Sequence, residues 1–265
     1  MKIGFIGLGN MATAMIGGML EKGLVTSGDI IGSAKTTATI EKIMTRFNIT
    51  TVPENKKVAE QADVLFLAVK PIFLSEVIDE IKDVVRPETL IVSIAAGRTL
   101  AYLREAFGRT ELKLVRCMPN TPALVMEGCT GICAGADVTE EELQRIVGLM
   151  EAFGKASVVP ERLMDVVVGV SGSSPAYVFM FIEAMADEAV AAGMPRKQAY
   201  EFAAQSVLGS AKMVLETGKH PGELKDMVCS PGGTTIEAVK VLEEKGFRAA
   251  VMDAMEACIE KSKNM

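Results

Sequence analysis

The sequence predicts an α/β chain in two parts, a doubly wound, mostly parallel sheet followed by an all-helical domain. Three observations predict it. Short, continuously apolar segments rich in Val and Ile (MKIGFIG, DVLFLAV, LIVSI, LKLVRCM) alternate with helix-length stretches, as strands do when crossover helices bury both their faces. The first segment runs into glycines spaced Gly7-x-Gly9-x-x-Ala12 and from there into a helical stretch. Beyond Pro160 the composition turns from Val/Ile-rich to Ala/Met-rich, and no strand-like segment follows.

Composition narrows the function classes. A chain of 265 residues is long enough for two cores, and 49% apolar residues with a mean hydropathy of +0.28 describe a globular chain with much buried surface. The net charge is −6 and Lys and Arg are spread singly, so no basic stripe for DNA or RNA forms. Five cysteines, at 117, 129, 133, 229 and 258, lie mostly in apolar stretches, and the one histidine is His220. They read as reduced, buried thiols, not as a disulfide frame or a metal site, and a zinc enzyme or a Ser-His-Asp hydrolase is not expected. The chain opens on a strand, without the basic and apolar regions of a signal peptide. Glu183, Asp187 and Glu188 interrupt the apolar run 175–193, which argues against a membrane span. The expectation is a soluble, cytoplasmic protein.

Taken in order, Lys2 to Gly7 is the first strand, a helix follows from about Met11 to Glu21, and a second strand lies near Asp29 to Ser33. Gly7 permits a tight turn, Gly9 lets a pyrophosphate approach the backbone, and Ala12 lets helix pack on strand, which together predict a Rossmann-type dinucleotide site. An NAD site would carry an acid at the end of the second strand, and from Ile30 to Ile40 there is none. Ser33, Lys35, Thr36 and Thr37 offer hydroxyls and one cation to a 2′-phosphate instead, so NADP is the expected cofactor and NAD the weaker alternative.

The strands Asp63–Val69, Leu90–Ile94 and Leu112–Met118 come next, with helices to Val85 and near Leu100–Phe107, then two strands at 128–135 and 156–160 around a helix at 140–153. Ligands of such sheets sit at the carboxyl ends of strands. The loops 68–71, 93–97 and 118–122 therefore share the cleft of Gly7–Ala12. Helices are expected at about 161–168, 175–192, 196–216, 221–227, 234–244 and 247–261, broken at Gly193-Met194-Pro195 and Gly218. The division is 1–159 for the NADP-binding domain and 160–265 for the helical one. The helix 175–192 is apolar on most faces and needs more cover than so small a domain provides, so a partner subunit, most simply in a two-fold dimer, is expected.

The most telling stretch of the second domain is Cys229-Ser230-Pro231-Gly232-Gly233-Thr234-Thr235. Thr234 with Glu237 three residues later fits a capping box, and the glycines free the chain to turn into the helix. Unpaired amides at such a helix start attract small anions. Lined by Ser230, Thr234 and Thr235, with neither Lys nor Arg, this one suits a carboxylate better than a phosphate.

FIGLGNMA, FLAVKP, SIAAG, RCMPNTP, SGSSPAY and above all HPGELKDMVCSPGGTTIEAV carry a resemblance that runs nearly end to end: the chain resembles the pyrroline-5-carboxylate reductases, which catalyse the last step of proline biosynthesis. The resemblance implies cofactor contacts at Ile6, Gly7, Leu8, Gly9, Asn10, Met11, Ser33, Asn55, Ala68, Val69, Lys70, Pro71, Ala95, Ala96 and Gly97. It implies carboxylate contacts at Ser230, Gly233 and Thr234, and in Thr235 the catalytic hydroxyl near the ring nitrogen. Glu161, Asp226 and Met227 fall at positions lining the joint site, Met227 on the cofactor side. It also implies intertwined dimers and larger rings of dimers. Ser174 stands in SGSSPAY where such proteins usually carry Gly.

The chemistry agrees with the residues. A cyclic imino acid is a substrate whose nitrogen carries a proton near neutrality, so its reduction needs a reductant, a carboxylate grip and one hydroxyl, and no catalytic His. A 3-hydroxy-acid dehydrogenase would want a Lys early in the helix 175–192, which has none. A non-catalytic NADP sensor leaves SPGGTT unexplained.

Overall fold

All four residues of β1 (Ile3–Ile6) are buried, and the rest of the sheet is laid out from this strand. The computed structural model describes residues 1–265. After β1 come α1 (Asn10–Glu21), β2 (Ile30–Ser33), α2 (Thr37–Phe47), β3 (Thr50–Val52), α3 (Asn55–Gln61), β4 (Val64–Leu67), α4 (Leu74–Ile81), β5 (Leu90–Ser93), α5 (Leu100–Phe107), β6 (Leu114–Met118), β7 (Gly128–Ala134), α6 (Glu140–Glu151) and β8 (Gly154–Val158). The eight strands lie in the order β3-β2-β1-β4-β5-β6-β7-β8, parallel except where β7 runs against β6. The chain winds outward from β1 to β3 and returns to β4 on the other side of β1, so the strand order reverses between β1 and β4. That reversal opens a crevice beyond their carboxyl ends.

Buried strands point successive side chains to opposite faces. Phe5 and Phe66, paired across β1 and β4, stack with ring centroids 4.8 Å apart in the core of one face, with Met15, Ile16 and Met19 of α1. Ile6, Leu65 and Leu67 build the core of the other face with Leu74, Val77, Ile78 and Ile81 of α4. Each such side chain contributes roughly 1.5–3 kcal/mol by leaving water.

Expected and observed elements differ in places. The sequence reading passes over α2, β3 and α3, since β3 has three residues and none of them fully buried. Nor are the thiols uniformly buried: Cys117 and Cys133 are, Cys129 is exposed, and Cys229 and Cys258 are half-buried. Cys129 falls on the one fully exposed position of β7. Burial pushes the Cys133 thiol up to about 11, and Cys117 higher still, so neither is a nucleophile near neutrality.

Strands end at Val158, and the chain continues through a 3₁₀ turn (Glu161–Leu163), α7 (Met164–Val167) and a π-helical turn (Val168–Gly172). Packing divides the chain later than the expected 159/160: one unit is Met1–Ser173 with Cys258–Met265, the other Ser174–Ala257. The reason is close packing of this segment on the sheet, seen at two glycines. A Cβ at Gly131 of β7 would come within 2.8 Å of Val167, and one at Gly172 within 2.8 Å of Met118. The segment 161–172 thus belongs to the sheet.

The second unit contains α8 (Ser174–Ala191), α9 (Arg196–Thr217), α10 (Pro221–Val228), α11 (Thr234–Glu244) and the first part of α12 (Phe247–Lys263). Within it Ala186 of α8 and Ala199 and Ala203 of α9 are buried, while Phe179, Met180, Phe202 and Leu215 are exposed. By length and composition the run 161–191 would also suffice to cross a membrane.

Candidate active site

In the sheet unit, a cavity of about 360 Å³ lies at the β1/β4 reversal. It brings together eleven predicted cofactor residues: Ile6, Gly7, Leu8, Gly9, Asn10, Ser33, Lys35, Asn55, Ala68, Val69 and Lys70. Met11, Pro71 and Ala95–Gly97 are not part of its lining, and Met227 belongs to the helical unit. Thr36, expected to offer a hydroxyl to a 2′-phosphate, lines it too, and Thr39, Lys42 and Phe73 line it outside the expected cofactor contacts. Thr39 and Lys42 come from α2, which the sequence reading passes over; the available signal is Thr36, its N-cap, which accepts a bond from the Thr39 amide.

The two fingerprint glycines serve different ends. Gly7 has φ +96, and a Cβ there would lie 2.6 Å from the Ala68 carbonyl oxygen, so the turn out of β1 against β4 admits glycine. Gly9, the N-cap of α1, has no atom within 4 Å of where its Cβ would be. That open space above a helix start is what a pyrophosphate requires.

At the end of β2 the Ser33 hydroxyl donates to Asn55 Oδ1 at 2.7 Å, and the Asn55 amide donates onward to Glu80. Lys35 lies over the Phe73 ring, 4.7 Å from its centroid, with Glu76 Oε1 at 3.4 Å. Both partners of that ion pair are more than half exposed, so it is worth at most about 1 kcal/mol and leaves Lys35 available to an anion.

The loop after β5 is fixed from outside. Ser93 Oγ accepts from the Ala95 amide at 3.3 Å, and Glu161 Oε1 accepts from the Leu100 amide at 2.7 Å and from Arg116 Nη1 at 2.8 Å. Arg116 is 5% exposed. Glu161, expected to line the substrate site, thus sits in the sheet unit with its carboxylate bound to the frame.

In the helical unit the SPGGTT stretch turns through Gly232, at φ +69, with the Gly233 amide donating to the Ser230 carbonyl at 3.0 Å. The expected capping box does not form. Gly233, extended at φ −79 and ψ 166, is the N-cap of α11, and Thr234 is its first helical residue. The turn closes one residue earlier than a Thr cap would allow, and a glycine has no side chain with which to satisfy the first amides. The helix start therefore keeps its donors, flanked by the exposed hydroxyls of Ser230 and Thr234 and the half-buried Thr235. Asp226 is exposed and paired with Lys225 at 2.5 Å, an ion pair that holds the Lys225 ammonium above its usual range. His220 caps α10, its Nδ1 accepting from the Gly222 amide at 3.0 Å.

Comparison with known proteins gives a consistent result. A family model for pyrroline-5-carboxylate reductase dimerisation matches residues 161–265, and one described as NADP oxidoreductase, coenzyme F420-dependent, matches residues 2–97. The pyrroline-5-carboxylate reductase of Escherichia coli K12 is 54% identical over 264 residues, covering 100% of this chain and 98% of that one. That of Methanosarcina acetivorans is 46% identical and covers 100% and 97%. Among solved structures, a pyrroline-5-carboxylate reductase from Coxiella burnetii superposes with a TM-score of 0.91 at 33% identity over 99% of this chain and 97% of its own. A Plasmodium falciparum pyrroline carboxylate reductase with NADP bound gives 0.89 at 31% over 99% and 97%.

Proposed function

The chain belongs to the pyrroline-5-carboxylate reductase family, and from that premise we propose that it reduces 1-pyrroline-5-carboxylate to L-proline, the final step of proline biosynthesis, with NADPH preferred over NADH. The observation that carries the reading is the pairing of a dinucleotide cleft with an uncapped, hydroxyl-lined helix start in one chain.

Bound NADPH would supply the hydride that the C=N carbon receives. The chain's own residues bind, orient and exclude. Gly7 to Asn10 would hold the pyrophosphate on the α1 start, and Ser33 with Asn55 and Lys35 would hold the 2′-phosphate of the adenosine end. Lys35, Lys42, Thr36 and Thr39, with no acid at the end of β2, support a phosphate there over a bare ribose. Ala68–Pro71 and Ala95–Gly97, at the ends of β4 and β5, would take the nicotinamide end.

On the substrate side, the Thr234 amide and the Ser230 hydroxyl, set around the turn that Gly233 closes, would bind the carboxylate. The Thr235 hydroxyl would accept a hydrogen bond from the protonated imine nitrogen and so orient the C=N bond. Since that nitrogen brings its own proton, the chain needs no general acid of its own. Asp226 and Met227 would border this pocket. The exposed apolar faces of α8 and α9 support a homodimer, and five free thiols fit the reducing cytoplasm. Assembly of dimers into a larger ring rests on the resemblance alone.

The test is to follow the absorbance of reduced nicotinamide with NADPH and with NADH as pyrroline-5-carboxylate is added. Turnover with both, at a higher kcat/KM for NADPH, is the expected result. Binding of NADPH without turnover across imino acids would replace the enzyme with a sensor.

A further inference from the structure

The loop between β5 and α5, residues 94–99, contains only a turn, yet the chain holds it at two points that the reduction itself does not use. The first is the start of α5. Leu100 is its first residue, so its amide has no partner inside the helix. Thr99, the N-cap, serves the Tyr102 amide at 3.0 Å and leaves that of Leu100. Glu161, 61 residues away in sequence, supplies the missing acceptor at 2.7 Å. A carboxylate also suits the positive end of a helix, and the buried Arg116 at 2.8 Å balances its charge.

The second hold is at Gly97. Its φ of +70 makes the turn, and a Cβ there would meet Met265 Cβ at 2.6 Å and the Ser262 carbonyl oxygen at 3.4 Å. The residues seated against it are therefore those that follow Ala257 in α12 and rejoin the sheet unit. Ser262, 3% exposed, fixes them by donating to Asp165 Oδ1 at 2.6 Å, and Cys258 Sγ lies 3.1 Å from Ser173 Oγ. Glu161 and Asp165 stand four residues apart in one short segment, Glu161 holding the loop directly and Asp165 holding what packs on it.

We propose that Glu161 is a positioning residue for the 95–97 loop, and that Asp165 with Ser262 completes the clasp. This rests on the reading that the loop receives the nicotinamide half of the cofactor. The clasp sets that half and leaves the adenosine half, at the end of β2, untouched. On this reading Glu161 acts through the loop that receives the cofactor, and its bound Oε1 is committed to Leu100 and Arg116.

Two probes separate the halves: NADPH, and adenosine 2′,5′-bisphosphate, which lacks the nicotinamide. Titrated by calorimetry into the full-length protein, E161A should bind NADPH about tenfold more weakly, the loss of one hydrogen bond to a charged group, and bind the bisphosphate as wild type does. E161Q keeps an acceptor for Leu100 and should stay within about threefold of wild type, and S262A should fall between the two. Because E161A strands a buried Arg116, the double variant R116M/E161M guards against loss of folding; it removes both charges but still deprives Leu100, and should behave as E161A. Three results overturn the proposal: NADPH affinity unchanged in E161A and in the double variant, equal weakening of both probes, or a raised KM for pyrroline-5-carboxylate with NADPH affinity intact. A wild-type protein that binds neither probe would refute the cofactor reading before any variant is made, and the clasp with it.

Discussion

Thr235 carries the least replaceable atom of the proposed substrate site. It is half-buried in the first turn of α11, directly after Thr234, and a hydroxyl there has two candidate jobs, capping the helix or meeting the imine nitrogen. Gly233 holds the N-cap position and Thr235 is already the second helical residue, past the place from which a side chain caps the helix, so its hydroxyl is left to the imine. Thr235→Ala should accordingly lower kcat about tenfold, ~1–2 kcal/mol for one lost hydrogen bond, while the unfolding midpoint stays put. Stopped-flow and denaturation on the same preparation decide it, and a shifted midpoint with unchanged kcat would make Thr235 structural. At this scale the sequence is readable wherever backbone geometry dictates residue type. Gly7 and Gly9 announce the cleft because a side chain is excluded at one and unwanted at the other. It is silent where a long-range partner decides: nothing near Glu161 in sequence points to Leu100 or Arg116.

The element that positions the cofactor is the turn from β1 into α1, and its two glycines make a controlled pair. At Gly7 an added methyl would meet the Ala68 carbonyl oxygen at 2.6 Å with φ at +96. Gly7→Ala should therefore cost stability, about 1–3 kcal/mol for a side chain in that backbone region, and NADPH affinity together. At Gly9 the same methyl enters open space from an ordinary backbone conformation, φ −76 and ψ −170. Gly9→Ala should leave stability within about 0.5 kcal/mol of wild type and still weaken NADPH binding. Urea denaturation beside fluorescence titration of NADPH reads both, and a Gly9→Ala protein that binds NADPH normally would place the pyrophosphate elsewhere. Elements are readable in proportion to burial. The fully buried strands β1, β4 and β5 are legible to within a residue or two, because each apolar run is of strand length, rich in β-branched and aromatic residues, and flanked by turn residues, which decides for a buried strand over a buried helix. The polar edge from α2 to α3 is not, because β3 is short and incompletely buried, and Thr39 and Lys42 of the cleft go unread with it.

For the molecule as a whole, the change from Val/Ile to Ala/Met marks where strands stop, but the unit boundary depends on packing that sequence does not spell out: Gly131 and Gly172 draw the segment 161–172 onto the sheet. What the helical unit needs beyond itself is plainer. Phe179 is 62% exposed and Met180 69%, neighbours on α8 facing different directions, and Leu215 of α9 is 78% exposed. A single copy leaves these large apolar side chains in water, and a second copy seated on the helices would cover them. A membrane could cover α8 as well, but it would not account for the match of 161–265 to a dimerisation domain. The wild-type protein should sediment as a dimer or a multiple of it without detergent, with a Tm that rises with protein concentration. Phe179→Asp/Met180→Asp places two charges in that interface, and desolvating them should shift the protein to monomer and abolish the concentration dependence. Because both cores of the sheet unit draw on Met1–Ser173, the monomer should still bind adenosine 2′,5′-bisphosphate with wild-type affinity. A double variant that stays oligomeric at micromolar concentration would move the interface off α8 and reopen the question of what covers it.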